Sequence, residues 1–203
     1  MTTEHNNVRQ HILDTGKTII TGKGFAGVGL NEILTAAGVP KGSFYHYFKS
    51  KELFGEALLD DYIGQYLAQM ETVLSQPGQS AARSLMDYWA SWSELDEDCC
   101  DCRCLVVKLS GEVADMSEAM RVTLLEGTNR IVARLAVCVE QALADGSLRQ
   151  VADAKLTALA LYQLWLGAAL LTKLRREPSA LQAAWQTTLA MLNLPAETQG
   201  GQV

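Results

Sequence analysis

The chain has 203 residues, 48% of them hydrophobic, enough to bury a substantial core as one domain or as a small module joined to a larger one. Its formal net charge of −6 would argue against nucleic acid as a partner if it were evenly spread. The balance is instead +3 through Lys51 and −9 over the remainder. A basic N-terminal segment, here residues 1–51 and called the basic head, followed by an acidic remainder is typical of a DNA-contacting module joined to a domain with another task. A chance fluctuation of charge over so short a segment is an alternative.

Targeting and membrane signals are weak. Met1–Gln10 is polar and has no apolar run followed by a cleavage site, so no signal peptide is predicted. The most apolar stretch, Leu156–Leu171, falls short of the roughly 18 residues of a membrane span. Five cysteines do not form a secreted disulfide pattern, so reduced thiols are expected. The sequence predicts a cytoplasmic protein with no membrane partner.

Apolar residues recur three and four apart along most of the chain, and strand signals are nearly absent, which predicts an all-α fold. The predicted helices cover about 8–21, 30–37, 40–47, 51–76, 80–95, 105–113, 117–144, 156–174 and a last helix opened by Pro178. Gly22 and Gly24 end the first helix, and Ser50 caps the fourth. The acidic, cysteine-rich segment Asp96–Arg103 is expected to be a loop or frayed turn, and the second of the short helices follows a turn at Gly38-Val39.

The two short helices have the pattern of a helix-turn-helix. Ile33, Leu34 and Ala37 give the first an inner face, and Val39, Phe44 and Phe48 give the second its packing side. The residues left on the outer side of the second helix offer hydrogen-bond donors and aromatic edges to a DNA groove. They are Lys41, Ser43, Tyr45, His46 and Tyr47.

The segment resembles the TetR/AcrR family of transcriptional regulators in four ordered motifs. They are Gly24-Phe25, Ala37-Gly38-Val39, Lys41-Gly42-Ser43-Phe44-Tyr45 and Phe48-Lys49-Ser50-Lys51-Glu52. The resemblance implies base contacts by Lys41, Gly42 and Ser43, and phosphate contacts by Tyr45, His46, Lys49 and Lys51 on a palindromic double-stranded operator. The sequence departs from the family at Val28-Gly29, where a hydroxyl residue is common, and at Leu34, where a small Ala is usual.

This resemblance implies three parts: a helix-turn-helix domain at 1–50, an effector-binding and dimerisation domain at 51–197, and a disordered tail at 198–203. The eighth predicted helix is apolar almost all round, so one side needs a partner. With the last helix it is expected to form a four-helix homodimer interface, unless it is the central helix of a larger monomeric core. The predicted interface residues are Leu164, Gly167, Leu170, Leu171, Leu181, Trp185 and Leu189.

A small-molecule effector pocket in the C-terminal bundle is also implied by the resemblance. The candidate residues are aromatic or Met side chains, which at helical spacing are equally compatible with ordinary core packing. They are Tyr66, Tyr88, Trp89, Trp92, Met116, Met120, Tyr162 and Trp165.

Four of the five cysteines, Cys99, Cys100, Cys102 and Cys104, crowd into one segment. A metal site, inert structural thiols and redox or electrophile sensing are the alternatives, with the metal site weakened by missing CxxC spacing. Neighbouring Asp and Glu residues disfavour the thiolates before Cys104. Arg103, a predicted helix start and Lys108 favour the thiolate of Cys104.

Three runs are similar to the N-ethylmaleimide-reductase repressor (NemR) branch of the family, whose members respond to electrophiles and oxidants. They are Cys104–Glu112, Lys41–Phe48 and Leu164–Ala168. The resemblance implies that Cys104 is the sensing thiol. Lys173, six residues beyond Gly167 on the predicted dimer helix, is a candidate amine neighbour. Cys102, a nearby cysteine that family members need not share, is a candidate for additional disulfide chemistry.

The predicted function is a TetR-type DNA-binding regulator, a repressor released from its operator by a small molecule or by cysteine modification. No cofactor, metal or catalytic residue is predicted, because the chain has no nucleophile-His-acid set and no His after residue 46. The alternative is a helical ligand carrier or scaffold without DNA binding, which would account for the apolar helices but not for the basic head.

Overall fold

A computed structural model of the chain describes residues 2–92 and 100–195, with side chains described over 7–92 and 105–195. The described residues contain helices and connecting turns and no strand. The helices are α1 (Thr2–Lys23), α2 (Leu30–Ala37), α3 (Lys41–Phe48), α4 (Lys51–Leu74), α5 (Ala81–Ala90), α6 (Cys100–Met116), α7 (Glu118–Ala144), α8 (Ala154–Arg175) and α9 (Ser179–Met191). The all-α prediction is confirmed.

The first compact unit comprises Met1–Tyr66 and Cys100–Thr128, and so contains α1 to α3, most of α4, α6 and the start of α7. Its core includes a three-ring cluster in which Phe44 lies 5.2 Å from Phe48 and 5.4 Å from Phe54, centroid to centroid. All three rings are buried. The packing side predicted for α3 is thus used to hold it against the start of α4.

The turn between α2 and α3 follows from Gly38, whose φ of 64° is left-handed and whose N–H bonds back to Thr35 O. Ile33, Leu34 and Ala37 are buried, as predicted for the inner face of α2. Gly29 is the N-cap of α2 and no side chain caps it, which agrees with the absence of a hydroxyl residue there. Ser50 Oγ accepts the N–H of Leu53 at the start of α4, as predicted.

The second unit comprises Leu67–Cys99 and Asn129–Val203, and contains the end of α4, α5, most of α7, α8 and α9. The rings of Trp89 on α5 and Trp165 on α8 are stacked, with centroids 5.2 Å apart. The Trp165 indole N–H donates to Thr188 Oγ1 on α9 at 2.9 Å, in a fully buried position. This buried bond and the packing around it join α8 to α9.

One face of α8 is not covered by the described residues of its unit. Leu156 is 62% exposed, Leu170 45% and Leu174 70%, and these positions share a face at the 3.6-residue helical period. Leu159, Gln163 and Gly167 lie on the same face and are also exposed. We call these six positions the α8 stripe. Four of these six residues are leucines, and an exposed group of leucines on one face of a helix is typical of an interaction surface.

In the part of the chain that the structure describes, α8 is the helix that is long and apolar enough, by length and composition, to cross a membrane. Within its most apolar 18-residue segment, 33% is buried. The predicted apolar run was shorter than the helix that forms. Interior helices of soluble proteins can have the same length and composition, and α8 carries the buried Trp165 contacts to α5 and α9.

One predicted element is wrong. Cys100–Arg103 belong to α6, although a loop or frayed turn was expected, and α6 continues to Met116 rather than ending near residue 113. The rest of that predicted loop lies in residues 93–99, outside the described residues. Pro178 is the N-cap of α9 rather than its first helical residue. The predicted boundary at residue 50 stays a prediction, and the predicted tail at 198–203 lies outside the described residues.

Candidate DNA-binding surface and sensing helix

The outer side of α3 carries most of the predicted DNA contacts. Lys41, Tyr45, His46 and Lys49 are exposed, whereas Phe44 faces the core. Gly42 is exposed as well, and Ser43 and Tyr47 are half-buried. Among the described residues, no atom lies within 4 Å of where a Cβ at Gly42 would be. The backbone of α3 at Gly42 is therefore open to close approach, and its contact with a DNA base stays a prediction.

Lys41 and Lys49 direct positive charge to this surface. The Lys41 Nζ lies 5.8 Å from the centroid of the Tyr45 ring, so an amine and a phenol stand together on the exposed side. Lys49 follows α3 with a φ of 58°, a left-handed conformation that is rare for a residue with a side chain. Strained backbone of this kind is common at functional sites.

Other cations of the basic head have partners within the unit. Lys23 pairs with Glu32, and the Arg9 guanidinium lies 5.5 Å from the centroid of the Phe48 ring. Lys51 donates to the carbonyl oxygen of Phe25 at 2.9 Å. The predicted phosphate contact of Lys51 stays a prediction, while the structure gives its ammonium an internal partner.

The loop between α1 and α2 is held by α6. Glu112 accepts the backbone N–H groups of Phe25, at 3.1 Å, and of Ala26. Lys108, one turn earlier, donates to the carbonyl oxygens of Thr21 and of Gly22, the latter at 2.7 Å. The sequence prediction gave Lys108 a role beside Cys104, but its ammonium is engaged with the end of α1. Lys108 and Glu112 both belong to the Cys104–Glu112 run that resembles the family. No local sequence feature identifies the backbone groups that they bind.

The predicted sensing cysteines lie in the first turns of α6. The backbone of Cys102 and Cys104 is helical, and their side chains, with all of Cys99, lie outside the described residues. Because α6 starts at Cys100, Cys104 lies in its second turn, where the helix dipole acts less strongly than at a helix start. That part of the argument for a Cys104 thiolate is corrected, and Cys102 is closer to the helix start.

Lys173, the predicted amine neighbour, is exposed on α8 in the second unit. Cys104 belongs to the first unit, so their proximity stays a prediction. Among the side chains described over 7–92 and 105–195, no group of three His, Cys, Asp or Glu residues is placed to hold a metal ion.

Cys138 is buried on α7, with its sulfur 3.5 Å from the carbonyl oxygen of Ala81. Burial raises the pKa of its thiol to about 11, although the nearby Arg134 guanidinium acts in the opposite direction. At neutral pH the thiol stays protonated, so Cys138 is a structural cysteine and not a candidate sensor.

The predicted pocket residues fall into both units. Tyr66 and Met120 are buried in the first unit, where Met116 is exposed at the end of α6. The other five are buried in the second unit, where four of them form one aromatic cluster, with neighbouring centroids 4.7–6.3 Å apart. The four clustered residues are Tyr88, Trp89, Trp92 and Trp165, and the fifth residue is Tyr162, three positions before Trp165. A pocket between them stays a prediction.

The predicted dimer residues divide by exposure. Leu170 and Leu171 are exposed, with Gly167, and Leu164 and Trp185 are half-buried. Leu181 and Leu189 are buried in the core of their own unit, because the apolar stripe of α9 faces inward. Those two residues are therefore corrected to core positions. The α8 stripe adds Leu156, Leu159 and Leu174, which the prediction did not include.

A short helix with an exposed basic and aromatic side, placed by a helix-turn-helix on an all-helical body, defines a DNA-binding regulator of the helix-turn-helix class. Residues 12–58 match the family model for bacterial regulatory proteins of the tetR family. Residues 78–188 match the model for the tetracyclin repressor-like C-terminal domain.

Among curated proteins, the chain is 37% identical to the HTH-type transcriptional repressor NemR of Escherichia coli, over 96% of this chain and 98% of that protein. It is 31% identical to the HTH-type transcriptional repressor DhaR of a Mycobacterium species, over 86% of each. The crystal structure of the reduced form of E. coli NemR aligns with a TM-score of 0.87 and 35% identity, over 93% of this chain and 100% of that one. A putative TetR/AcrR-family regulator of known structure aligns with a TM-score of 0.83 and 43% identity, over 92% and 99%.

The chain belongs to the TetR family of transcriptional regulators. Regulators of this family bind operator DNA and act as dimers with small-molecule effectors. The alternative of a carrier or scaffold without DNA binding is not favoured.

Proposed function

We propose that this regulator is a cytoplasmic homodimeric repressor, not an enzyme, that leaves a palindromic operator when Cys104 is alkylated or oxidised. The observation that carries the proposal is the connection made by α6. This helix bears Cys102 and Cys104 in its first turns and, further along, contacts the loop that leads into the helix-turn-helix. A chemical change at its start is therefore applied to an element already in contact with the DNA-binding head.

The chemistry at Cys104 is addition of a thiolate. A thiolate adds to the carbon-carbon double bond of N-ethylmaleimide: a carbon-sulfur bond forms, the π bond breaks, and its electron pair takes up a proton from water at the neighbouring carbon. A quinone reacts in the same way, and its adduct then tautomerises to a hydroquinone. Arg103 adjoins Cys104 in sequence and favours the thiolate over the thiol. Similarity to a repressor whose solved structure is a reduced form supports the same assignment.

Release follows from the spacing of the two heads. The two recognition helices of a dimer must enter DNA grooves about one turn apart, roughly 34–36 Å. A small rotation of each helix-turn-helix changes the distance between the two recognition helices, so both can no longer enter their grooves at the same time. In this proposal Lys41, Gly42 and Ser43 read bases, while Tyr45, His46 and Lys49 contact phosphates. Lys51 is not assigned a phosphate, because its ammonium is bound to the carbonyl oxygen of Phe25. Lys41→Ala or Ser43→Ala should then change which operator variants bind, while Tyr45→Phe should weaken binding to all of them.

The dimer in this proposal forms through the α8 stripe, whose four leucines are exposed and are not covered by the described residues of the unit. Two stripes related by a twofold axis would bury each other, which is the usual form of a homodimer interface. The effector-pocket residues are retained in the proposal as the site of a reversible ligand, acting beside the thiol or in its place.

The experiment starts from DNA flanking the chain's own gene, because such regulators often control a gene beside them. Footprinting defines the protected fragment, and fluorescence anisotropy then measures binding before and after N-ethylmaleimide treatment. Wild-type protein and Cys138→Ser should be released, and Cys104→Ser should stay bound. Release of Cys104→Ser at the same reagent dose would refute the assignment and transfer it to Cys99, Cys100 or Cys102.

A further inference from the structure

The clearest contact between α6 and the DNA-binding head is made by two side chains of opposite charge. Lys108 and Glu112 are half-buried and lie one helical turn apart on α6. Lys108 holds the carbonyl oxygens of Thr21 and Gly22, and Glu112 holds the N–H groups of Phe25 and Ala26. We call this pair and its four backbone partners the α6 clamp.

Each charge meets the backbone groups that suit it. Thr21 and Gly22 lie in the last turn of α1, where carbonyl oxygens have no partner within the helix and the dipole is negative. The Lys108 ammonium satisfies both. After the turn at Gly24 the chain presents N–H groups, which need an acceptor, and the Glu112 carboxylate supplies it through charge-assisted bonds.

Gly24 allows the carboxylate to come this close. Its φ is 82°, in the left-handed region, and a Cβ there would lie 3.0 Å from Glu112 Oε2. A side chain at this position would be strained and would also press on the carboxylate. Gly24, of the Gly24-Phe25 motif, thus allows the contact between α6 and the loop before α2.

The clamped loop determines where the helix-turn-helix begins. Phe25 is buried, and its carbonyl oxygen accepts from Lys51 at the start of α4. Gly29, three residues after Ala26, is the N-cap of α2. The loop is therefore held by α4 on one side and by α6 on the other, directly before the two helices that would meet DNA.

We propose that Lys108 and Glu112 are positioning residues for operator binding: they hold the head in its DNA-competent orientation and carry movement of α6 to it. Cys104 precedes Lys108 by one turn of the same helix. This inference rests on the proposed function in one respect only, namely that modification of Cys104 is what moves α6. The requirement for the clamp in operator binding holds whatever displaces α6.

The test uses charge-neutral variants with matched controls. Lys108→Gln and Glu112→Gln remove the clamp charges. Arg130→Gln, at an exposed residue of α7, and Asp115→Asn, at an exposed residue of α6, make the same charge changes away from the loop. Anisotropy with the footprinted operator gives Kd at several salt concentrations, with circular dichroism and light scattering as checks of folding and dimerisation.

Each clamp variant should weaken operator binding at least about fivefold relative to its matched control, the lower end of ordinary coupling between sites. The salt slope should be unchanged, because the variants keep every lysine that the proposed function places at a phosphate. Lys108→Arg, which keeps a donor and the charge, should stay within about twofold of wild type. If a neutral variant fails to fold, Glu112→Asp provides a second test, because it keeps the charge but moves the carboxylate away from the N–H groups of Phe25 and Ala26. It should also weaken operator binding at least about fivefold.

The clamp variants should also respond less to N-ethylmaleimide, because the contact through which α6 acts is already broken. The ratio of Kd after and before treatment should fall at least about fivefold relative to wild type. Folded clamp variants that bind operator as tightly as their controls would overturn the inference, and a changed salt slope for Lys108→Gln would show that Lys108 contacts DNA instead. If wild-type protein is not released by any thiol reagent, the proposed function fails, and the affinities without reagent still decide the role of the clamp.

Discussion

The ammonium of Lys51 lies 2.9 Å from the carbonyl oxygen of Phe25 and 4.5 Å from the centroid of the same residue's ring. Lys51 is thus bound to the loop before α2, whereas Lys49, two residues earlier, is exposed at the end of α3. The two lysines were assigned the same phosphate role from sequence, and their surroundings give them different expected behaviour.

Lys49→Ala should weaken binding to all DNA sequences and make its salt dependence less steep, by about one unit of slope for each phosphate that the protein no longer neutralises. Lys51→Met should leave that slope unchanged and lower the free energy of unfolding by about 1–2 kcal/mol, since it removes a charge-assisted bond and a cation-π interaction. Salt titrations and urea unfolding measure the two effects. An unchanged slope for Lys49→Ala would remove Lys49 from the phosphate-binding residues, and a changed slope for Lys51→Met would restore Lys51 to them.

Leu170→Glu should give a monomer or an aggregate. The substitution places a carboxylate in the α8 stripe, where pairing with a second copy would bury it at an effective cost of several kcal/mol per uncompensated ion. Sedimentation velocity measures the oligomeric state. Val137→Glu, at a similarly exposed apolar residue of α7, is the control and should remain dimeric. A well-folded Leu170→Glu dimer would show that Leu170 does not face the partner.

Thr188→Val should lower the free energy of unfolding by about 1–3 kcal/mol, because it keeps the side-chain shape but leaves the buried Trp165 N–H without its acceptor. Thr187→Val is the matched control, since Thr187 is exposed and its hydroxyl donates within α9, to Ala183 O. Its effect should stay within about 0.5 kcal/mol. Chemical denaturation at one fixed protein concentration compares the two, and equal losses would contradict a special role for the Trp165 bond.

Cys138 should resist alkylation in the folded protein. With a pKa raised to about 11, less than roughly one molecule in a thousand carries the thiolate at pH 8, and the sulfur is also buried. Peptide mass spectrometry after brief N-ethylmaleimide treatment should find Cys138 unmodified in native protein and modified in urea. Rapid native labelling would mean that α7 opens readily around this residue.

The helix-turn-helix could be predicted because its determinants are local. Gly38 makes the turn, and Phe44 and Phe48 recur at helical spacing, so the inner and outer sides of α3 follow from the sequence. The α6 clamp could not be predicted, because Lys108 and Glu112 bind backbone groups more than 80 residues away in sequence. A charged side chain at a half-buried helical position does not reveal its distant partner.

The apolar helices show the same limit. Hydrophobic periodicity predicted that α8 and α9 pack together, and it gave each an apolar side. It did not distinguish a side that faces the chain's own core from one that faces a second copy, since both are apolar. Leu181 and Leu189 were therefore assigned to the dimer interface but lie in the core, while Leu156 and Leu174 are exposed on the α8 stripe.

The most direct test of thiol-controlled operator release measures modification and release in the same samples. Wild-type protein on its labelled operator is treated with increasing N-ethylmaleimide, anisotropy gives the fraction released, and peptide mass spectrometry gives the modified fraction of each cysteine. The released fraction should follow the modified fraction of Cys104 along the whole titration. Complete modification of Cys104 with the protein still bound, or release that follows another cysteine, would contradict the proposal.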